Sequence, residues 1–235
     1  MRLRHHAAVP VLPPSVRPDS PPPSAERPST PAQAWAALAA GNERFVVERS
    51  SEVGTASKRA ELVTEQRPFA LVVGCSDSRV PAEFVFDADL GDLFVVRTAG
   101  HVVDSAVLGS VEYGVDVLGV PLVVVLGHER CGAVGAALDA LDGGSVPGGY
   151  VRDIVERVAP SILVARHGRA RDDDPAVEAT IVGAAHVKAT ANLLRDRSSA
   201  LARAVEAGRA AVVGAAYELA TGRVTLLEGA DSVNA

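Results

Sequence analysis

Four short runs, "FALVVGC", "LFVVRTAG", "PLVVVLGH" and "RAAVVGAAYEL", constrain this chain more than any other feature. They are apolar and largely β-branched, which suits strands covered on both faces better than strands with one wet side. Ala-rich segments with helical spacing of their apolar positions separate most of them. Strands alternating with helices predict an α/β fold, with a central, mostly parallel four-stranded sheet flanked by helices. A further segment, "GRVTLLEG", follows the fourth run too soon for a crossover helix. It is expected to return antiparallel through a tight turn at Thr221 and Gly222, as an edge strand.

The helical segments read as follows. "AQAWAALAAGNERFVVERS" carries Trp35, Leu38, Phe45 and Val46 at helical spacing, with Trp35 as a packing anchor and Gly41 and Asn42 as weak points. "ASKRAELVTEQRP" predicts a helix closed off by Pro68. Residues 146–165 and 175–195 predict two more, separated by the polar loop "RHGRARDDD". Ahead of all these, residues 1–31 hold nine prolines and almost no periodic apolar pattern, so they are expected to form a disordered arm. Residues 32–235 then make one folded domain, enough chain to bury a sizeable core.

Composition narrows the function. A formal charge of -6 gives no broad basic surface, so nucleic-acid binding through phosphate contacts is not expected. No uninterrupted apolar stretch approaches the roughly 20 residues that span a bilayer, and the short apolar stretch near the N-terminus carries prolines that spoil a signal peptide. The expected location is the cytoplasm, with no membrane partner. There, cysteines more often bind metals or act in catalysis than pair as disulfides, and the chain has two of them.

Both cysteines fall where chemistry is done in an α/β sheet. "LVVG" delivers Cys75, and "VVVLG" delivers His128 with Cys131 three residues later. Ligands in such sheets bind beyond the carboxyl ends of the strands. An H-x-x-C step into a helix can aim both side chains at one centre, and Cys75 completes a three-ligand set that suits zinc with a fourth position open. Just after Cys75 come Asp77 and Arg79. If the segment stays extended, they share one face and form a charge-assisted pair in which Arg79 keeps Asp77 ionised and oriented.

The C-x-D-x-R run followed by H-x-x-C, here Cys75, Asp77, Arg79, His128 and Cys131, closely resembles the signature of the β-class carbonic anhydrases. The likeness continues through "DLGDLFVVRTAGHVV" and "GSVEYGVDVLGVP" and covers nearly everything after the proline-rich arm. The resemblance implies one zinc ion per subunit on Cys75, His128 and Cys131. It implies reversible hydration of carbon dioxide to bicarbonate and a proton, through a zinc-bound hydroxide oriented by the Asp77/Arg79 dyad. Gln66, Phe94 and Tyr113 match the carbon dioxide pocket of the plant-type branch, bordered here by Ala99 and by Gly132 after the second cysteine. A homodimer or dimer of dimers is implied too, since family sites lie at a subunit interface.

Other readings keep parts of this constellation. A zinc hydrolase for carbonyl sulfide or carbon disulfide would change only the electrophile. A non-catalytic zinc module would leave Asp77 and Arg79 without a task, and a cysteine nucleophile with His128 as base would need no metal. Of the remaining histidines, His101 is expected to make local hydrogen bonds after the second strand, His167 to be solvated, and His186 to be a packing or surface residue of its helix.

Overall fold

The computed structural model describes residues 27–51 and 53–233, so the expectation of a disordered arm over residues 1–26 lies outside the described residues. The last residues of that arm are engaged with the domain. Arg27 donates to the Gly91 carbonyl and lies over the Phe69 ring. Thr30 caps α1 (Pro31–Val46), its side chain accepting from the Gln33 N–H, and Pro31 takes a first-turn position where its missing donor costs nothing.

Five strands form one sheet in the order β2-β1-β3-β4-β5. They are β1 (Ala70–Cys75), β2 (Leu93–Thr98), β3 (Leu122–His128), β4 (Ala211–Tyr217) and β5 (Val224–Glu228). The first three contacts are parallel and β4 pairs with β5 antiparallel, as the sequence predicts. The sequence runs fix this because β1 and β3 are buried along their whole lengths. Their side chains alternate between two cores. Val72, Val124 and Val213 pack with Ala34 and Leu38 of α1 on one face; Leu71, Val73, Val123 and Val125 pack with Val187, Ala191 and Leu194 on the other. Strand β2 departs from the both-faces pattern: it is an edge and only half-buried.

The other helices are α2 (Ala56–Glu61), α3 (Ala82–Val85), α4 (Ser105–Glu112), α5 (Gly132–Leu141), α6 (Val151–Arg166), α7 (Pro175–Arg197) and α8 (Ser199–Glu206). The helix expected to run on to Pro68 ends instead at Glu61. It buries none of its residues, and a helix without an apolar face to dock is marginal beyond a turn or two. Gly41 and Asn42 are not weak points of α1. A Cβ on Gly41 would lie 1.8 Å from the Phe86 carbonyl oxygen, so only glycine lets the two backbones meet. Asn42 donates to the Val85 and Gly222 carbonyls and accepts from the Val224 N–H, tying α1 to α3 and β5. Trp35 packs half-buried against the same core.

Two consequences position the site. The chain leaves β1 toward β2 on one side and takes up β3 on the other, so the switch point of the sheet lies between β1 and β3. Beyond the carboxyl ends of those strands a third apolar cluster, including Val102, Val134, Val155, Val158 and Ile162, closes around Cys75 and Cys131.

Candidate metal centre

Strand β1 ends at Cys75 and strand β3 at His128, side by side at the switch point. After His128 the chain turns through Arg130, at φ 52, and starts α5 with Cys131 as its N-cap. The H-x-x-C spacing therefore bridges a strand end and a helix start. The Sγ atoms of Cys75 and Cys131 and the imidazole of His128 all lie within 4.8 Å of one another. The sulfurs are 3.9 Å apart. Two sulfurs at tetrahedral positions ~2.3 Å from zinc would be separated by about 3.8 Å, so the spacing fits.

The ring of His128 supports the same conclusion. Its Nδ1 lies 2.8 Å from the Glu129 carbonyl, which can only accept, so Nδ1 carries the proton and Nε2 has a free lone pair. That Nε2 is buried and has no hydrogen-bond partner among the described residues. A buried acceptor left unpaired is costly unless something else binds it. Burial works against charging the ring, yet the Cys75 sulfur, the Glu129 carbonyl and Asp77 together raise its pKa. Without a cation the thiols hinder one another: the hydrogen bond between them pushes Cys75 down to about 4, and the same hydrogen bond, with burial, pushes Cys131 up. A divalent ion is what would let both sulfurs ionise.

Backbone donors surround these sulfurs. The Gly100 N–H donates to Cys75 Sγ at 3.3 Å, with the Asp77 N–H facing the same atom. The N–H groups of Ala133 and Val134, in the first turn of α5, face Cys131. Such donors withdraw thiolate charge that would otherwise weaken a bound Lewis acid.

Asp77 and Arg79 meet, by a route different from the expected strand alternation. The chain leaves the sheet at Cys75 and makes a turn closed by the Val80 N–H on the Asp77 carbonyl. Asp77 Oδ1 accepts from the Arg79 backbone N–H at 2.9 Å, an Asx turn that brings the two side chains together. The guanidinium then forks onto the carboxylate, Nε to Oδ1 at 2.9 Å and Nη2 to Oδ2 at 2.7 Å. This grip holds the Asp77 carboxyl well below the usual range, against a smaller opposing effect of burial. Oδ2 lies 3.9 Å from His128 Nε2, so the carboxylate borders the ligand cluster without joining it.

Comparison with known proteins agrees with this geometry. Residues 70–224 match the family model described as carbonic anhydrase. Carbonic anhydrase 2 of Mycobacterium tuberculosis is 53% identical over 200 residues, covering 84% of this chain and 93% of that protein. The carbonic anhydrase of Mycolicibacterium smegmatis is 55% identical over 200 residues, covering 84% and 94%. The chain belongs to the β-class carbonic anhydrases. Among solved structures, one of two tetrameric β-carbonic anhydrases from Sordaria macrospora superposes with a TM-score of 0.67 at 24% identity, covering 73% of this chain and 86% of that one.

Of the residues expected from the sequence to line a pocket, Gln66, Phe94 and Tyr113 do not gather at Cys75, His128 and Cys131 within one chain. Phe94 and Tyr113 pair with ring centroids 6.0 Å apart, and Tyr113 lines an open cleft with Gln66. Phe94 lies four positions before Thr98, the strand partner of Cys75. At the strand rise this is about 13 Å from the sulfur's level, toward the opposite end of the sheet. Tyr113, 45% exposed, starts a π-helical turn (Tyr113–Val117) that continues α4. Ala99 and Gly132 are both exposed beside the ligand loops, Ala99 one residue after β2 and Gly132 one residue after Cys131.

Three residues of this site escape a sequence reading. Arg97 donates to the Cys75 carbonyl at 2.8 Å and to the Asp77 carbonyl at 2.5 Å, pinning the loop that carries Cys75 and Asp77. Gly100 supplies the sulfur donor. His186, from α7, donates to the Gly100 carbonyl. Only the arginine leaves a signal, as a charge closing an apolar strand. The expected hydrogen bonds of His101 are not made: the ring is buried, burial lowers its pKa, and neither nitrogen has a partner among the described residues. It lies against the His186 ring instead. His167 is exposed, as expected.

Proposed function

We propose that this chain catalyses the zinc-dependent, reversible hydration of carbon dioxide to bicarbonate and a proton. The observation that carries the reading is the unpartnered Nε2 of His128 converging with two sulfurs beside an immobilised carboxylate. Cys75, His128 and Cys131 would hold one zinc ion per subunit, whose chemistry is that of a Lewis acid making water a nucleophile near neutral pH.

The protein's own part is orientation. Arg79 keeps Asp77 ionised, so Oδ2 can only accept a hydrogen bond. An attacking oxygen that gives its O–H to Oδ2 must turn a lone pair toward the electrophile. The Arg79 grip also keeps Asp77 off the ligand cluster. Arg97 fixes the backbone on both sides of Ser76, so dyad and ligand keep one register. Access is consistent with these roles, because Asp77 and Arg79 reach solvent while the cysteines are 6% and 7% exposed, too enclosed for a free nucleophile.

Phe94 and Tyr113 supply the apolar wall against which carbon dioxide is held, and Gln66 donates to the developing oxyanion. Their distance from Cys75 of the same chain means that a second copy brings them to the site, so the working unit is a homodimer or dimer of dimers. No helix among the described residues is long and apolar enough to cross a membrane. Two free cysteines committed to metal binding fit the reducing cytoplasm. Stopped-flow carbon dioxide hydration across pH, read beside zinc content, tests the reading. The expected result is turnover that rises with pH at one zinc per chain. A zinc-loaded sample inactive above about pH 8 overturns it.

A further inference from the structure

The Gly100 peptide is held from behind by a relay that starts on two helices remote from the ligands in sequence. Ser161 of α6 and His186 of α7 are both buried. Ser161 Oγ lies 2.8 Å from His186 Nδ1, and His186 Nε2 lies 2.9 Å from the Gly100 carbonyl oxygen. A carbonyl only accepts, so the proton is on Nε2; Nδ1 is then the acceptor, and the serine hydroxyl donates to it. Burial favours this neutral ring by lowering the His186 pKa. One residue of the chain is thus gripped on both sides, its carbonyl by His186 and its N–H by Cys75 Sγ.

Gly100 needs such a grip. It stands at φ 64 and ψ 22, a conformation glycine adopts and leaves freely, so its own backbone does not fix it; the next residue, His101, is also left-handed at φ 43. Its ψ sets where the carbonyl points, and its φ where the N–H points. A tethered carbonyl therefore limits the rotation that would swing the N–H off the sulfur.

We propose that His186, oriented by Ser161, is a positioning residue for the metal centre: it fixes the Gly100 backbone so that the Gly100 N–H stays on the Cys75 sulfur and draws charge from it. The proposal rests on the zinc-site reading above. With the tether gone, Cys75 becomes a more electron-rich ligand on a loop that no longer holds it in place, so the bound ion is a weaker Lewis acid and is held less firmly.

The test uses the full chain with cobalt in place of zinc, reading the sulfur-to-cobalt charge-transfer band, and the zinc form, reading affinity by chelator competition. Wild-type protein lacking the band overturns the cysteine-ligated site itself and this proposal with it. With the band present, His186→Leu is expected to move it to lower energy and weaken zinc binding about 10-fold. His186→Gln, whose side-chain amide can donate to the same carbonyl, is expected to restore both. Ser161→Ala is expected to shift the band the same way by less, and it carries the test if the leucine variant does not fold. A band and affinity unchanged in His186→Leu, or in Ser161→Ala where that variant stands in, overturn the proposal. So does an equal loss in the leucine and glutamine variants, which would make the ring mere packing.

Discussion

Replacing Gly100 by alanine tests how tightly the loop before α4 is built into the candidate metal centre. Two independent penalties meet there. At φ 64 an L-residue pays roughly 1–2 kcal/mol for the left-handed conformation. The new Cβ would also lie 2.7 Å from the Cβ of Ala133. Neither atom can rotate away, since each is fixed to its backbone, so overpacking adds about 1–3 kcal/mol. The expected destabilisation is about 2–5 kcal/mol, a large share of a typical domain's total. Because Ala133 follows Cys131 by two residues, relief of the clash moves the start of α5 and Cys131 with it. Urea unfolding of the zinc-loaded protein at fixed concentration measures the first effect, and chelator competition the second. Gly109 is the matched control: it is exposed, in α4, and a Cβ added there would meet nothing within 4 Å. Gly109→Ala is expected to gain up to about 1 kcal/mol from helix propensity. A Gly100→Ala variant within about 0.5 kcal/mol of wild type, with zinc affinity intact, would refute the account of this loop.

Other expectations follow from the same geometry. Asp77→Asn should keep zinc by elemental analysis and lose about 10²–10⁴-fold in turnover by stopped flow, since under the proposed function it removes the acceptor that orients the nucleophile; full activity would sink the dyad. Arg79→Ala removes the group that lowers the Asp77 pKa, so protonation of Asp77 should begin at higher pH and the acid limb of the activity profile should move up; an unmoved limb counts against the pairing. Glu178 is buried, which alone would raise its pKa, but Arg169 and Arg166 hold it down to about 2. Its folded pKa is depressed, so its stabilisation is present above ~4.3 and is lost as pH falls toward about 2. Glu178→Gln should cost about 3 kcal/mol at neutral pH by urea titration, with the gap to wild type narrowing in acid. Chelation should abolish activity, lower the melting temperature and expose both thiols to titration, all reversed by added zinc; retained activity in metal-free protein would favour thiol chemistry instead.

Much of the site can be read from the chain because its chemistry sits at strand ends. Cys75 and His128 close short, β-branched apolar runs that read as buried strands, and a parallel sheet presents such ends on one edge. Asp77 and Arg79 are visible as a pair, yet an Asx turn joins them in place of strand alternation. Helix α2 is shorter than its pattern predicts because periodicity says nothing of whether a face finds a partner. Gly100 and His186, 86 positions apart, leave no trace as a pair.

The sequence by itself determined the strands, their direction at the antiparallel edge, and which ligands and charged groups arrive at their ends, because burial period and side-chain chemistry are local properties. Tertiary structure decided the rest. The order β2-β1-β3 places Cys75 beside His128, and packing of α6 and α7 over that end brings Ser161 and His186 behind Gly100. It also carries Phe94 and Tyr113 away from the cysteine and histidine cluster of their own chain. Convergence of distant residues is a property of how whole elements pack, and no local pattern contains it.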